Sequence, residues 1–364
     1  MQHSWNIALA HDHLFQIGGA ERVLQEIARL FPNAPLYSLI HHPRSQHFFH
    51  DVKIHTSFLQ RLPGGARWFK LYLGLMPKAW ERFDFSGYDL VISSCSAFVK
   101  GIRTPPHAKH ISYCHAPTRY LWDEYEYVNS LRMSPLIRSI VVKLLSELRE
   151  WDLSAASRVD YFIANSHHIS KRIKKYYGRD SIVIYPPVEV SSFETSETIG
   201  DYYLIVSRLR PYKQVQLAIE AFNNLKLPLL IIGGGEEMRR LKLIAKRNIY
   251  FLGEVSDEKR NYYLARCRAF LQPQEEDFGI SAVEAMASGR PVVAFGAGGA
   301  LETIREKVSG VLFDEQSWES LAFAVINLRP EEYDPSIIRH HASQFDSSIF
   351  RHRLLSFVEG VMHE

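Results

Sequence analysis

Cysteine is scarce: Cys95, Cys114 and Cys267 are the only three in 364 residues, far apart and odd in number. No disulfide framework can be built from them and no Cys-x-x-Cys pair is present, so reduced cytosolic thiols are expected. The 17 histidines are scattered, and His41-His42, His167-His168 and His340-His341 have neighbour spacing rather than a ligand pattern such as His-Glu-x-x-His, so a metal site is unsupported. No apolar run reaches the roughly 18 residues that span a bilayer. Residues 1–10 lack the charged lead and apolar core of a signal peptide. A soluble protein, or one seated on a membrane surface, is therefore expected. The net charge of +3 gives no argument for nucleic acid as a partner. What the chain does have is an ordinary globular composition, 46% hydrophobic and 23% charged, over a length that favours two domains.

Short apolar runs alternate with helix-like stretches from end to end. Residues 7–10, 90–93, 110–114 and 161–164 read as strands, and Gly18-Gly19 opens a helix over 20–30. Ile184-Tyr185-Pro186-Pro187-Val188 and the polar run 191–201 read as a linker. The pattern then restarts, with strands at 203–207, 229–232, 250–252, 269–272, 292–295 and 311–313 and a helix at 215–223. Such alternation predicts an α/β protein with parallel sheets covered by helices. We expect domains at 1–190 and 191–345, then an amphipathic helix within 346–364. Two such domains predict a cleft lined by the C-terminal ends of strands, where ligands bind in this architecture.

Glu276 and Glu284 stand eight positions apart on either side of a helix start, with 282–287 reading as helix and 291–294 as the next buried strand. A helix start offers unpaired N–H groups and a positive dipole end, which gather anions. Carboxylates beside such a site suit neutral hydroxyls of sugar or ribose; Glu284 would equally well complement the dipole. Arg208, Arg210 and Lys213 follow the first strand of the second domain, where Arg208 can fork onto phosphate oxygens and Lys213 can act as a point charge. A solvated basic loop has the same composition. Gly18-Gly19 permits close approach of backbone N–H to a phosphate, or is a plain helix-start loop. His115 ends a buried strand, as a structural histidine or a cleft residue. Gly298-Gly299 repeats the glycine pattern after another strand, as a ligand contact or an ordinary turn. Residues 61–83 mix Trp68, Phe69, Tyr72 and Trp80 with five cations, which suits a membrane interface or a buried helix with snorkelling cations. Lys171 and Arg172 begin a basic run that would add attraction to anionic lipid or simply face water.

Taken in order and spacing, these elements resemble the retaining glycosyltransferases of the GT-B fold, family four, over nearly the whole chain. The resemblance lies in Gly18-Gly19-Ala20-Glu21, the strand-end His115, Arg208 with Lys213, and the E-x7-E element Glu276 to Glu284. It implies two Rossmann-like domains facing across a cleft, acceptor-binding first and nucleotide-sugar-binding second, with the last helix packing back on the first. It implies that Arg208 and Lys213, helped by the Gly19 N–H, neutralise the donor diphosphate as the glycosidic bond breaks. Glu276, with the backbone of Phe278, Gly279 and Ile280, would hold donor-sugar hydroxyls, and Glu284 the ribose. His115 would contact the sugar or assist the reacting centre. The base would lie near 233–236 and 253–256, which include Gly234 and Val255. No cofactor is implied, and no metal, in keeping with the missing Asp-x-Asp motif. Retention could use Glu276 as nucleophile; the family pattern favours same-face attack, with Glu276 positioning.

Gln274 to Ile280, Gly298 to Thr303 and Tyr113 to Trp122 are similar to bacterial mannosyltransferases of lipopolysaccharide O-antigen and exopolysaccharide synthesis. That similarity implies GDP-mannose as donor and a polyprenyl-diphosphate-linked saccharide as acceptor. The protein would be cytoplasmic, peripheral on the inner membrane, and would not bind nucleic acid. Asp277 to Ser281 departs from the commoner Gly-Phe-Gly-Leu-Pro, and the missing proline leaves that loop less rigid. A GT-B sugar-nucleotide epimerase or hydrolase, or a binding protein without turnover, are the competing readings.

Overall fold

The computed structural model describes residues 5–15, 18–42, 48–64, 68–122 and 134–363. They fall into two compact units: one runs to Tyr185 and resumes at Arg351, and the other is Pro186–Phe350.

The first unit holds seven parallel strands: β1 Ile7–His11, β2 Leu36–Ser38, β3 Ile54–Thr56, β4 Leu90–Cys95, β5 Lys109–Cys114, β6 Tyr161–Ala164 and β7 Ser181–Val183. Their order is β3-β2-β1-β4-β5-β6-β7. The second holds six: β8 Tyr203–Val206, β9 Leu229–Ile232, β10 Ile249–Gly253, β11 Phe270–Gln272, β12 Val292–Phe295 and β13 Gly310–Phe313. These are also parallel, in the order β10-β9-β8-β11-β12-β13. Both orders reverse beside the first strand, between β1 and β4 and between β8 and β11. A doubly wound sheet opens its ligand crevice at that reversal. The central strands are buried on both faces, as every residue of β4 is, and this explains their uninterrupted apolar runs.

The helices bury one stripe each. Gly19–Leu30 turns Val23, Leu24, Ile27 and Ala28 inward at helical spacing. A 23-residue helix, Pro135–Ser157, starts at the Ser134 cap and buries Leu145, Leu148 and Asp152 only in its later turns. There Asp152 meets Lys100, both side chains fully buried, and accepts hydrogen bonds from Thr118 Oγ1 (3.0 Å), Trp122 Nε1 (2.8 Å) and Tyr177 OH (2.8 Å). This network fastens the segment that follows β5.

Strand and helix limits expected from sequence move by one or two residues, as at Ile280–Ala287, where the helix begins two residues early behind Gly279. The chain leaves the first unit at Tyr185, before residue 190, because Val188 already pairs with the second: its N–H donates to Phe345 O at 2.9 Å and its carbonyl accepts from Ser347 N at 3.1 Å. The last helix, Ser347–His363, makes its contacts with the first unit from Arg351 onward. Arg351 Nη1 lies 2.6 Å from Glu26 Oε2, and the Phe357 ring stands edge-on to Tyr161 at 5.9 Å.

Candidate functional site

At the β1/β4 reversal, Asp12 follows β1 and its carboxylate accepts four backbone N–H groups from the loop after β4: Ser96 (2.8 Å), Ala97 (2.7 Å), Phe98 (2.7 Å) and Val99 (2.8 Å). One buried side chain thus sews two loops together. Gly18 caps the Gly19–Leu30 helix, and its N–H donates to Glu21 Oε2 at 2.8 Å, the reciprocal half of a capping box. Glu21 Oε1 faces His11 Nε2 at 3.6 Å. His11 Nδ1 lies 3.0 Å from Ser94 Oγ, and Ser94 Oγ lies 2.8 Å from His115 Nε2. The structure therefore joins the Gly18-Gly19 loop to His115 through His11 and Ser94, which the sequence did not single out.

Burial, then the neighbouring His11, pushes His115 down to about 3, so the ring is neutral at pH 7. His13 is lowered by burial as well, packed between Phe15 and Phe69 with ring centroids 4.7 and 5.3 Å away. Burial alone would raise the Glu21 carboxyl; hydrogen bonding and charge from His11, with backbone N–H bonds, hold it below its ordinary value.

At the β8/β11 reversal, the loop after β8 lies on the loop after β9. Leu209 N donates to Gly234 O at 2.8 Å, and Glu237 N donates to Leu209 O at 3.2 Å. Gly233 (φ +123°) and Gly235 (φ +154°) are required there, since a Cβ would stand 2.0 Å from Ser207 O and 2.3 Å from Leu209 O respectively. The three cations of that loop separate in role. Arg208 is exposed, Arg210 pairs with Glu236, and Lys213 pairs with Glu276. Gln274 Nε2 also donates to Glu276, at 2.6 Å. The E-x7-E element thus meets the basic loop directly.

Gly279 (φ +94°) caps Ile280–Ala287, and Phe278 beside it is buried edge-on against Phe345 at 5.4 Å. Glu284 is in the second turn of that helix, 3% exposed, with Arg260 Nη2 at 3.9 Å. Gly234 and Val255 follow adjacent strands β9 and β10, linked by the Gly233 N–H to Gly253 O bond of 2.8 Å. Gly298 and Gly299 serve loop packing: a Cβ on either would stand 2.3 Å from Glu276 O or 2.4 Å from Phe278 Cα.

The matches to known proteins also fall into two parts. Residues 17–192 match the model of Glycosyltransferase Family 4, and residues 192–341 match that of glycosyl transferases group 1. The chain is a glycosyltransferase. It is similar to the alpha-1,3/1,6-mannosyltransferase ALG2 of Rhizomucor pusillus, 24% identical over 94% of this chain and 87% of the relative. It is also similar to the O-antigen chain mannosyltransferase C of Escherichia coli, 29% identical over 52% of this chain and 55% of the relative. Among solved structures, Anabaena Alr3699/HepE in complex with UDP and glucose superposes with a TM-score of 0.72 at 19% identity, covering 98% of this chain and 99% of that one. Sucrose-phosphate synthase of Thermosynechococcus elongatus gives 0.75 at 15% identity, covering 98% and 99%. These likenesses establish the fold as GT-B, with two Rossmann-like domains.

The surface expected from residues 61–83 of the glycosyltransferase divides in the structure. Trp68 is 50% exposed, while Phe69 and Tyr72 are half-buried on the 3-10 turn Phe69–Leu75. Trp80 corrects the expectation: it is fully buried with Phe83 at 5.3 Å, so it anchors the core and touches no membrane. Arg67 lies outside the described residues. Leu71 (78% exposed) is the most open apolar side chain of the turn. Gly74 in that turn packs toward Leu144 of Pro135–Ser157, whose early turns expose Leu136, Ile137 and Ile140. Lys171 is exposed, and Arg172 stacks over Tyr176 on another helix, His167–Tyr177. Among the described residues no helix is long and apolar enough to cross a membrane, and no three His, Cys, Asp or Glu cluster as metal ligands.

Proposed function

We propose that this glycosyltransferase transfers mannose from GDP-mannose, with retention, to a polyprenyl-diphosphate-linked saccharide during O-antigen or exopolysaccharide synthesis. The observation that carries the proposal is the Lys213–Glu276 pair at the β8/β11 reversal: a cation for a diphosphate beside a carboxylate for sugar hydroxyls. The mannosyltransferase names of the relatives support mannose over other hexoses.

As the anomeric carbon–oxygen bond breaks, negative charge grows on the departing diphosphate. Arg208, exposed and unburdened by the Glu236 pairing that occupies Arg210, meets that charge together with Lys213. Gly19 at its helix start adds an N–H. These fixed donors supply the neutralisation without a metal. Glu276 trades its Lys213 contact for hydroxyls of the sugar and acts by positioning. The acceptor hydroxyl attacks on the face the diphosphate leaves, and a diphosphate oxygen takes its proton. Glu284 receives the ribose hydroxyls, with Gly234 and Val255 near the base and Phe278, Gly279 and Ile280 along the sugar. Neutral His115 offers the sugar a hydrogen bond. Residues 1–190 would take the acceptor and 191–345 the donor, with 346–364 closing on the former. The exposed Trp68, Leu71, Leu136, Ile137 and Ile140 would offer apolar contact for a peripheral seat on the cytoplasmic face of the inner membrane, to which Lys171 and Arg172 would add charge.

Calorimetric titration with GDP, UDP and ADP in the absence of metal tests the donor. Selective GDP binding, weakened in Glu284→Ala, supports the reading. Preference for UDP or ADP would replace mannose, and binding of none would remove the donor site. Product analysis with GDP-mannose and a lipid-linked acceptor then separates transfer from hydrolysis or epimerisation.

A further inference from the structure

Glu21, His11, Ser94 and His115 form one line of polar side chains across the start of the Gly19–Leu30 helix and the ends of β1, β4 and β5. The placement of their protons follows from which atoms can only accept. His11 Nδ1 lies 3.1 Å from the Ser94 carbonyl oxygen as well as 3.0 Å from Ser94 Oγ. A carbonyl never donates, so Nδ1 carries a proton. On the other side of the ring, Nε2 faces the Glu21 carboxylate at 3.6 Å, and that carboxylate is anchored by the Gly18 N–H at 2.8 Å. Glu21 thus stands on the far side of the His11 ring from Ser94 and holds it in place between them. Ser94 Oγ, accepting from His11, then turns its own proton toward His115 Nε2 at 2.8 Å. Nε2 of His115 is thereby the acceptor, and its proton stays on Nδ1.

We propose that Glu21, His11 and Ser94 are positioning residues that hold His115 as the neutral Nδ1–H tautomer, so that it presents an N–H donor to an oxygen of the donor sugar. The proposal rests on the reading above that His115 meets that sugar. The depressed basicity of His115 agrees with a neutral ring.

The test is the ring 15N spectrum of the full chain labelled at histidine, assigned with His115→Gln and His11→Gln. The expected result at pH 7 is a neutral Nδ1–H pattern for His115 and a proton on Nδ1 of His11. Glu21→Gln should shift the His11 ring signals, and Ser94→Ala should move His115 toward the Nε2–H form. In transfer assays Ser94→Ala should lower kcat about 10²-fold with little change in donor KM, the cost of a misplaced group rather than a lost binding contact. An Nε2–H pattern in the wild type would overturn the relay, and that spectrum decides even if a variant fails to fold. Full transfer by His115→Gln would overturn the sugar contact instead, leaving the tautomer to be judged by the spectra alone.

Discussion

Lys213 and Glu276 pair with each other, and in the proposed reaction the donor diphosphate takes the lysine from the carboxylate. Removing the cation should therefore act on the chemical step: Lys213→Ala is expected to lower kcat by about 10²–10³-fold, the usual loss of one charge-stabilising donor. Donor affinity should change less, and steady-state kinetics with labelled nucleotide sugar separates the two. Both residues were legible in the sequence because each carries its chemistry next to a strand or helix end. Asp12 was not. An aspartate after a strand is unremarked until the loop after β4 folds over it and delivers four N–H groups to its oxygens. Ser94 is silent in the same way, an ordinary serine on a buried strand until β1 and β5 bring a histidine to either side.

Between elements, Asp152 ties the Pro135–Ser157 helix to the segment after β5, and the buried Lys100 ammonium depends on it. Asp152→Ala should destabilise the fold by about 3–5 kcal/mol, since it strands that charge, as read by urea denaturation. His110, on β5, is fully buried with Nε2 2.8 Å from Ser93 Oγ, and burial followed by the Arg158 charge pushes it down to about 3. Its folded value is below the ordinary 6.5, so between those values the unfolded chain binds the extra proton and acid favours unfolding. Stability should fall as pH drops from 6 to 4, by up to ~1.4 kcal/mol per pH unit from this ring. His110→Gln should flatten that slope in denaturant titrations at each pH. The strands β2, β3 and β7 escaped the sequence because each is three residues long and includes polar residues, so neither a period nor an apolar run shows, whereas β11 lies in the run Ala269 to Leu271. The Pro135–Ser157 helix escaped because its apolar residues face water early and the core late, which blurs any single stripe.

For the whole molecule, the proposed seat at a membrane separates two tryptophans of one segment, Trp68 half exposed and Trp80 enclosed. Leu71→Glu combined with Trp68→Ala should leave the unfolding midpoint nearly unchanged and reduce co-sedimentation with vesicles containing anionic lipid. Trp80→Ala should cost about 3–5 kcal/mol of stability, because its indole is fully enclosed. Loss of stability in the first variant without loss of vesicle binding would refute the membrane reading of Trp68. The sequence by itself determined the α/β class and the restart of the pattern in a second domain, and it marked the cations and carboxylates on which the proposed site rests. Those are local properties: apolar runs set strands, glycines permit turns, and cations and carboxylates show their chemistry wherever they stand. Tertiary structure alone decided that Lys213 meets Glu276, that Gly298 and Gly299 serve a neighbouring loop, that Trp80 is core, and that Glu21 reaches His115 through two intermediaries. Those facts depend on strand order, since β1 lies beside β4 and β8 beside β11 only because each sheet reverses there, bringing together residues dozens of positions apart.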